Sequence, residues 1–263
     1  MYSDIFRRSL LAAAFIVISP IFPRIADATV VEFQTVMGNF EVNLYDNDTP
    51  ETVTNFLNYV NNGAYTNSVY HRSVPGFIVQ GGGFFYDMAL PLETIPTNAP
   101  VVNEPVFSNV RGTIAMAKLS GDPDSATSQW FFNLANNSAN LDSQNEGFTV
   151  FGQVVGDGMD VVDAIAALPI YDFNSPVNAL PLRDYTQADF DALVPIDETN
   201  LVIVTAIIVS DSTVDSAAGL NPPLNTPSPP PPPASTGGGG GGGGSFGLFG
   251  LFALLLLFRF RRV

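Results

Sequence analysis

The chain of 263 residues contains ten Lys and Arg, 25 Asp and Glu, one histidine and no cysteine. The lack of cysteine excludes disulfides, thiolate catalysis and cysteine metal ligands, and a single histidine cannot build a histidine metal cluster. Most of the cations lie near the two ends, so residues 29–236 carry four cations against 23 carboxylates and a formal charge of about −19. Such a charge excludes a protein that binds the phosphates of nucleic acid.

The first 28 residues have the pattern of an export signal. Arg7 and Arg8 precede an apolar run over residues 10–18, and "ADA" at 26–28 fits a cleavage site with small residues. A membrane-anchoring first helix is the alternative, but Pro20 and Pro23 interrupt a run that is already short for a bilayer. We therefore expect residues 1–28 to be a signal peptide and the protein to be exported, to the periplasm or the cell surface.

Residues 29–210 are long enough for one domain with its own core. Two strand-like runs, "TVVEFQT" and "FEVNLYD", flank a Gly-Asn turn in "VMGN". The next segment predicts a helix with Thr49 as its N-cap, Pro50 at its first position and Gly63 beyond its end. The apolar stripe of this helix comprises Val53, Phe56, Leu57 and Val60.

Further short strands are predicted over "RGTIAMA", "QWFFNLA" and "FTVFGQVV", with polar and glycine-rich loops between them. A second helix is predicted over "GMDVVDAIAAL", which stops before Pro169, and a last strand over "NLVIVTAIIV". Many short strands with two helices favour a closed or nearly closed antiparallel barrel, because closure removes exposed strand edges. Residues 170–200 form a loop-rich insertion to which the sequence assigns no role.

The C-terminal part has three successive features. Residues 211–244 form a Pro/Gly-rich linker that ends in eight glycines and is expected to be disordered, and residues 245–263 form a short apolar helix with a basic end. In this order the features resemble the GlyGly-CTERM sorting signals of exported bacterial proteins, which are associated with a rhomboid-family protease, the rhombosortase. The resemblance favours cleavage of the tail, and a permanent transmembrane anchor that leaves the body outside the cytoplasm is the alternative.

Three segments follow one another in the domain: "YHRSVPGFIVQGGGF", "RGTIAMAKLSGDPDSATSQWFF", and "LD" followed by "FTVFGQVV". Together with the order of elements, they resemble the cyclophilin family of peptidyl-prolyl cis-trans isomerases from about residue 30 to 168 and again at the last strand. The resemblance implies a mainly β fold, a closed antiparallel eight-stranded barrel capped by two α-helices. The "GGG" run alone could indicate a phosphate loop, but no Gly-Lys-Ser/Thr follows it.

The chemistry of this family places few demands on the protein. Rotation about an X–Pro bond meets a barrier of about 18–20 kcal/mol, because the nitrogen lone pair is delocalised into the carbonyl group. No bond is broken, so we expect no nucleophile, metal or cofactor. Arg72 fits the role of a donor to the nitrogen lone pair at the twisted geometry, because its guanidinium stays charged and presents a rigid fork of N–H groups. An arginine paired with a carboxylate is the alternative for an isolated residue.

The resemblance assigns further residues to the site. It implies that Gln80 is catalytic with Arg72, that Gln80 and Gln129 hydrogen-bond the substrate backbone, and that the main chain around Lys118 pairs with the peptide. The implied proline slot is apolar and consists of Phe77, Ile78, Phe131 and Leu141, with Ala117 at its edge and Phe148 as an aromatic wall. Core packing is the alternative for the apolar side chains, and solvent exposure for the glutamines. His71 is expected to pack beside Arg72 without acting on the substrate.

Three positions depart from the family pattern. Asn140 stands where many members have tryptophan, Phe148 where they have histidine, and Trp130 where phenylalanine is common. The missing tryptophan suggests weak cyclosporin binding. The larger Trp130 requires local repacking.

The expected function is isomerisation of X–Pro bonds in exported proteins, whose proline-containing segments would be the partners of a monomeric enzyme. A rhombosortase-type protease is an expected processing partner. The alternatives are a non-catalytic proline-peptide-binding or chaperone module anchored at the cell surface, and a structural protein that uses the barrel as a scaffold.

Overall fold

The computed structural model describes residues 29–212 and 220–226. The expected signal peptide, the glycine tract and the apolar C-terminal helix lie outside the described residues. Within the described part of the chain, no helix is both long and apolar enough to cross a bilayer.

The described residues are organised around one antiparallel sheet. Its strands are β1 Val30–Thr35, β2 Gly38–Leu44, β3 Ser68–Val69, β4 Arg72–Val74, β5 Ile78–Gly81, β6 Phe84–Phe85, β7 Glu93–Thr94, β8 Thr113–Met116, β9 Trp130–Asn133, β10 Val150–Val154 and, after a separate pair, β13 Ile203–Asp211. Their order is β4-β5-β9-β8-β10-β2-β1-β13-β3-β6-β7. The separate pair consists of β11 Ile170–Tyr171 and β12 Leu180–Pro181.

The sheet is curled, because Tyr70 and His71, which are adjacent in the chain, pair with parts of the sheet that are far apart in the strand order. The main-chain N–H of Tyr70 donates to Val202, next to β13, and that of His71 donates to Gln80 in β5. The fold is therefore mainly β, as expected. The expectation of a closed eight-stranded barrel is not confirmed, since the hydrogen-bonded order contains eleven strands and ends at β4 and β7.

The helices are α1 Pro50–Asn61, α2 Ser138–Leu141, α3 Gly158–Ala166 and α4 Gln187–Asp191, with a 3₁₀ turn at Gln144–Glu146. The two expected helices correspond to α1 and α3, whose buried faces pack on the main core. In that core Phe33 and Trp130 meet edge to face at 5.2 Å, a favourable geometry for aromatic rings. The α2 and α4 helices are single short turns that the sequence did not predict.

The start of α1 differs from its predicted cap. Thr49 is the N-cap residue, but its hydroxyl donates to the carbonyl of Tyr45 and accepts no hydrogen bond from the helix. The carboxylate of Glu104 instead accepts from the N–H groups of Glu51 and Thr52, at 3.3 and 2.9 Å. A carboxylate at this end also complements the helix dipole. The helix is therefore capped from a distant loop.

The turn between the first two strands also differs from its prediction. Gly38 already belongs to β2, so Val36 and Met37 form the turn in place of Gly38 and Asn39. Gly38 has a φ of 125°, which explains why glycine follows the turn.

The insertion of residues 170–200 packs against the edge of the sheet. It contains β11, β12 and α4, and its apolar side chains form a cluster with Val69 and Ile203. The carbonyl of Ala179 accepts from the N–H of Ser73 at 2.8 Å, and Ala179 forms a parallel bridge with Arg72. The insertion therefore covers the free edge of β4, which would otherwise present unpaired main-chain groups.

A short piece of the expected linker also lies on the domain. We call residues 220–226 the C-terminal strap. Ser108 donates its N–H to Pro223, and Asn225 donates its N–H to Val106, both at 2.8 Å. The side chain of Asn225 donates to the carbonyl of Asp142 at 3.0 Å. The strap is thus fixed beside the end of α2.

Candidate active site

Residues that lie opposite one another on neighbouring strands form one row of side chains on the same face of the curled sheet. Arg72 on β4 lies opposite Gln80 on β5, Gln80 lies opposite Phe131 on β9, and Phe131 lies opposite Ala115 on β8. Directly opposed residues of antiparallel strands share a face of the sheet. The row therefore brings Arg72, Gln80 and Phe131 together, as the motif implied.

The polar end of this row is connected by hydrogen bonds. Nη1 of Arg72 donates to Oε1 of Gln80 at 3.4 Å, and Nε2 of Gln80 donates to Oε1 of Gln129 at 2.8 Å. Arg72 is partly buried, and this burial lowers the pKa of its guanidinium, which nevertheless stays protonated. Within the described residues its guanidinium makes this one hydrogen bond, which is long, so most of its N–H groups remain available to a ligand.

The four cations of the domain differ in their partners. Among the described residues, the one ion pair joins Arg111 to Asp163. Arg183 donates to the carbonyls of Leu201 and Glu198. Arg72 is thus a half-buried cation without a carboxylate partner in the described part of the chain. The alternative of a structural salt bridge does not hold for this side chain.

The apolar end of the row is a compact cluster that contains every predicted slot residue. Ile78, Phe131 and Leu141 are each 1% exposed, and Phe77 packs against them with part of its ring exposed. Ala117 and Phe148 belong to the same cluster, and the rings of Phe131 and Phe148 meet edge to face at 5.9 Å. In the described structure these side chains are core, and Leu220 also packs on the cluster, so their role as a proline slot stays a prediction.

A buried polar network fixes two of the slot residues. The carboxylate of Asp142 accepts from the hydroxyl of Ser108 and from the main-chain and side-chain N–H groups of Asn109. The side chain of Asn109 also donates to the carbonyl of Phe148, whose N–H donates to Leu141. The sequence did not predict this network, although the "LD" pair contains its central carboxylate.

Lys118 is a further buried cation, and its side chain was not predicted to take part. Its Nζ donates to the carbonyls of Asn145 and Gly147, at 2.9 and 2.6 Å, and lies 4.9 Å from the ring centre of Phe148. Burial lowers its pKa to about 8, although the carboxylates of Asp124, Glu146 and Asp122 act in the opposite direction. The side chain holds the loop before Phe148 in place.

His71 lies behind the site and is 3% exposed. Its ring meets that of Phe84 edge to face at 4.9 Å. Burial is the main reason that its pKa falls to about 4, so the imidazole is neutral at pH 7. This environment agrees with a packing role.

Two of the three glycines after Gln80 leave room for the tryptophan on the neighbouring strand, and the third, Gly83, lies against the side chain of Gln129. A Cβ atom on Gly81 would lie 2.6 Å from Cη2 of Trp130. A Cβ on Gly82 would lie 2.6 Å from both Nε1 of Trp130 and the carbonyl of Ser128, and Gly82 has a φ of 73°. The large Trp130 is therefore accommodated where no side chain stands opposite it. Asn140, another of the three departures from the family pattern, is exposed at the surface.

A family model for "cyclophilin type peptidyl-prolyl cis-trans isomerase/CLD" matches residues 30–187. The chain belongs to the cyclophilin family. It is therefore a peptidyl-prolyl cis-trans isomerase by class. Among curated relatives, it is 46% identical to a peptidyl-prolyl cis-trans isomerase of Acinetobacter baylyi over 144 residues, which cover 54% of this chain and 73% of the relative.

Two further comparisons concern peptidyl-prolyl cis-trans isomerases of other organisms. Over 142 residues the chain is 42% identical to peptidyl-prolyl cis-trans isomerase B of Escherichia coli, covering 52% of this chain and 83% of that protein. A crystal structure of a Cryptosporidium parvum cyclophilin covers 71% of this chain and 99% of its own, with 18% identity and a TM-score of 0.49. In the chain described here, residues 29–212 and 220–226 contain no group of three His, Cys, Asp or Glu side chains that could hold a metal ion.

Proposed function

We propose that this cyclophilin accelerates X–Pro rotation in exported proteins and that Arg72 stabilises the twisted imide. The observation that supports this role is the position of Arg72. Its guanidinium is half-buried without a carboxylate partner in the described residues, on the same face as Gln80 and Phe131. A hydrogen-bond donor that is already in position needs little rearrangement of the protein when the peptide bond reaches its twisted geometry.

In the proposed mechanism, the proline ring lies on the apolar cluster while the peptide bond twists beside Arg72. As conjugation fails, the lone pair localises on the imide nitrogen and accepts from the guanidinium. This interaction exists only at the twisted geometry, so it lowers the barrier without tightening ground-state binding. One such donor contributes on the order of 3 kcal/mol, about a hundredfold in rate.

The glutamines have a separate task in this proposal. Gln80 connects Arg72 to Gln129 and limits the directions in which the guanidinium can point. The remaining amide groups of Gln129 and the main chain of Lys118 would hydrogen-bond the peptide on one side of the proline. Holding one side of the peptide lets the other rotate.

The test compares Arg72→Ala and Arg72→Lys with the wild type in a proline-peptide isomerisation assay. We expect Arg72→Ala to lower kcat about a hundredfold, and Arg72→Lys to recover only part of the rate, because an ammonium lacks the planar fork. Arg111→Ala is the matched control, since it removes an exposed cation paired with Asp163. An Arg72→Ala protein as fast as the wild type would exclude this donor and favour a binding module.

The proposal for location comes from the two ends of the chain. We propose export through residues 1–28, and recognition of residues 237–263 as a GlyGly-CTERM-like sorting signal that a rhombosortase-type protease removes. The enzyme would then act as a monomer in the periplasm or at the cell surface on proline-containing segments of other exported proteins. Mass spectrometry of the protein from its native host tests this, because processing predicts a chain that ends near the glycines, and anchoring predicts an intact tail in the membrane fraction.

A further inference from the structure

Lys118 is a charged side chain with an incomplete set of partners. It is 4% exposed, and two of its three N–H groups donate to the carbonyls of Asn145 and Gly147. No carboxylate within the described residues forms an ion pair with it. Removing an ammonium from water is unfavourable unless its donors are satisfied, so the third N–H favours an external acceptor.

A cavity of about 210 Å³ lies next to this ammonium. We call it the side pocket, and its lining consists of Lys118, Ser120, Gly121, Gln144, Asn145 and Phe148. Gly121 leaves open space where a side chain would stand. Neither the hydroxyl of Ser120 nor the carboxamide of Gln144 makes a hydrogen bond within the described residues, so both can meet a polar group of a ligand.

The side pocket adjoins the proline slot, because Phe148 belongs to both. A peptide whose proline ring lies on the apolar cluster would therefore place the side chain of a nearby residue at the mouth of the side pocket. The pocket combines a buried ammonium with two neutral polar groups and the ring of Phe148. This combination suits a carboxylate on a short apolar stem.

We propose that the side pocket binds an aspartate or glutamate side chain near the proline of a client, so that Lys118 selects acidic segments. The proposal rests on the proposed function, since it assigns a preference to the same groove. The carboxylates of Asp122, Asp124 and Glu146 do not line the pocket, but their charges favour the protonated form of Lys118 without forming an ion pair with it. They also repel acidic peptides at long range, so the preference should grow with ionic strength as this repulsion is screened.

The experiment measures kcat/KM for paired peptides that differ only by Glu or Gln at each of the two positions on either side of the proline. In the wild type we expect one position at which the Glu peptide is favoured about fivefold to tenfold. In Lys118→Met this ratio should fall to about one. Arg111→Met is the matched control, because it removes an exposed cation elsewhere and should keep the ratio.

The ratio also separates recognition from structural damage. Loss of the hydrogen bonds from Lys118 to the loop would change the turnover of both peptides together, whereas loss of recognition changes only their ratio. The preference should also decline as the pH rises through about 8, where the lysine loses its proton. A wild-type ratio of one at all four positions, with normal turnover of the Gln peptides, would overturn the side-pocket proposal and leave the proposed function intact.

Discussion

Arg72 and Gln80 face each other across β4 and β5, and Nη1 of the guanidinium donates to Oε1 of the carboxamide at 3.4 Å. The bond is long, and the other end of the carboxamide is held firmly by Gln129 at 2.8 Å. Gln80 therefore orients the arginine without neutralising it. A carboxylate at the same position would do both.

The substitution Gln80→Glu tests this distinction. The new carboxylate would form an ion pair with Arg72 and withdraw its N–H groups from the substrate, so we expect kcat to fall at least tenfold. Gln80→Leu removes the orientation but leaves the charge free, so its loss of kcat should be smaller. Steady-state kinetics on one proline peptide, with thermal melts to confirm folding, measure both. Equal rates in Gln80→Glu and the wild type would contradict the role of Gln80.

The stability of the domain should depend on His71 in acid. The folded pKa of about 4 lies below the ordinary value of 6.5, so the unfolded chain binds more protons between these values. His71 thus contributes stability above pH 6.5, and up to about 3 kcal/mol of it is lost as the pH falls to 4. Denaturant unfolding from pH 7 to 4 should show a smaller loss in His71→Phe. The isomerase rate of the wild type should show no titration near pH 6.5.

Alanine substitutions at Gly81 and Gly82 should respond differently when Trp130 is replaced by the smaller phenylalanine. Gly81→Ala places its methyl group against the ring of Trp130, so we expect a cost of about 1–3 kcal/mol. Much of that cost should disappear in the Trp130→Phe background. Gly82→Ala also meets the carbonyl of Ser128 at a positive φ, so Trp130→Phe should not rescue it. A double-mutant cycle from denaturant unfolding measures both couplings, and rescue of both alanines alike would refute the assignment.

Removal of the C-terminal strap should destabilise the domain. A chain that ends at residue 212 loses the two main-chain hydrogen bonds of the strap and the bond from Asn225 to Asp142. We expect a loss of about 2 kcal/mol and a decrease in Tm of about 5 °C. A chain that ends at residue 226 keeps these contacts and serves as the control. Identical Tm values for the two truncations would show that the strap adds nothing.

The resemblance of the motifs to a known family implied the site roles of Arg72, Gln80 and Phe131. The motif names the residues, and strand alternation puts them on one face once β4, β5 and β9 pair. The apolar stripe of α1 was predicted from the residues themselves, because periodicity within one element reports which of its faces is buried. The stripe needs no information about distant parts of the chain, whereas the row also requires β5 to pair with β9, which lies much further along the chain.

The features that were missed all depend on contacts between distant residues. Glu104 caps α1 from 53 residues away, and Ala179 pairs with β4 from the insertion. The side chain of Lys118 reaches a loop 27 and 29 residues further on. No pattern within a single segment specifies such partners, since any of several loops could supply a carboxylate or a carbonyl group. The number of strands was mispredicted for the same reason, because several consist of two residues defined only by their neighbours.

The C-terminal strap lies beside the predicted proline slot. Leu220 packs on the apolar cluster that contains Phe131 and Leu141, and the side chain of Asn225 donates to the carbonyl of Asp142. A substitution in the strap would therefore alter the slot through direct contact. The binding surface of this cyclophilin thus includes a contribution from a segment that follows the last strand of the sheet.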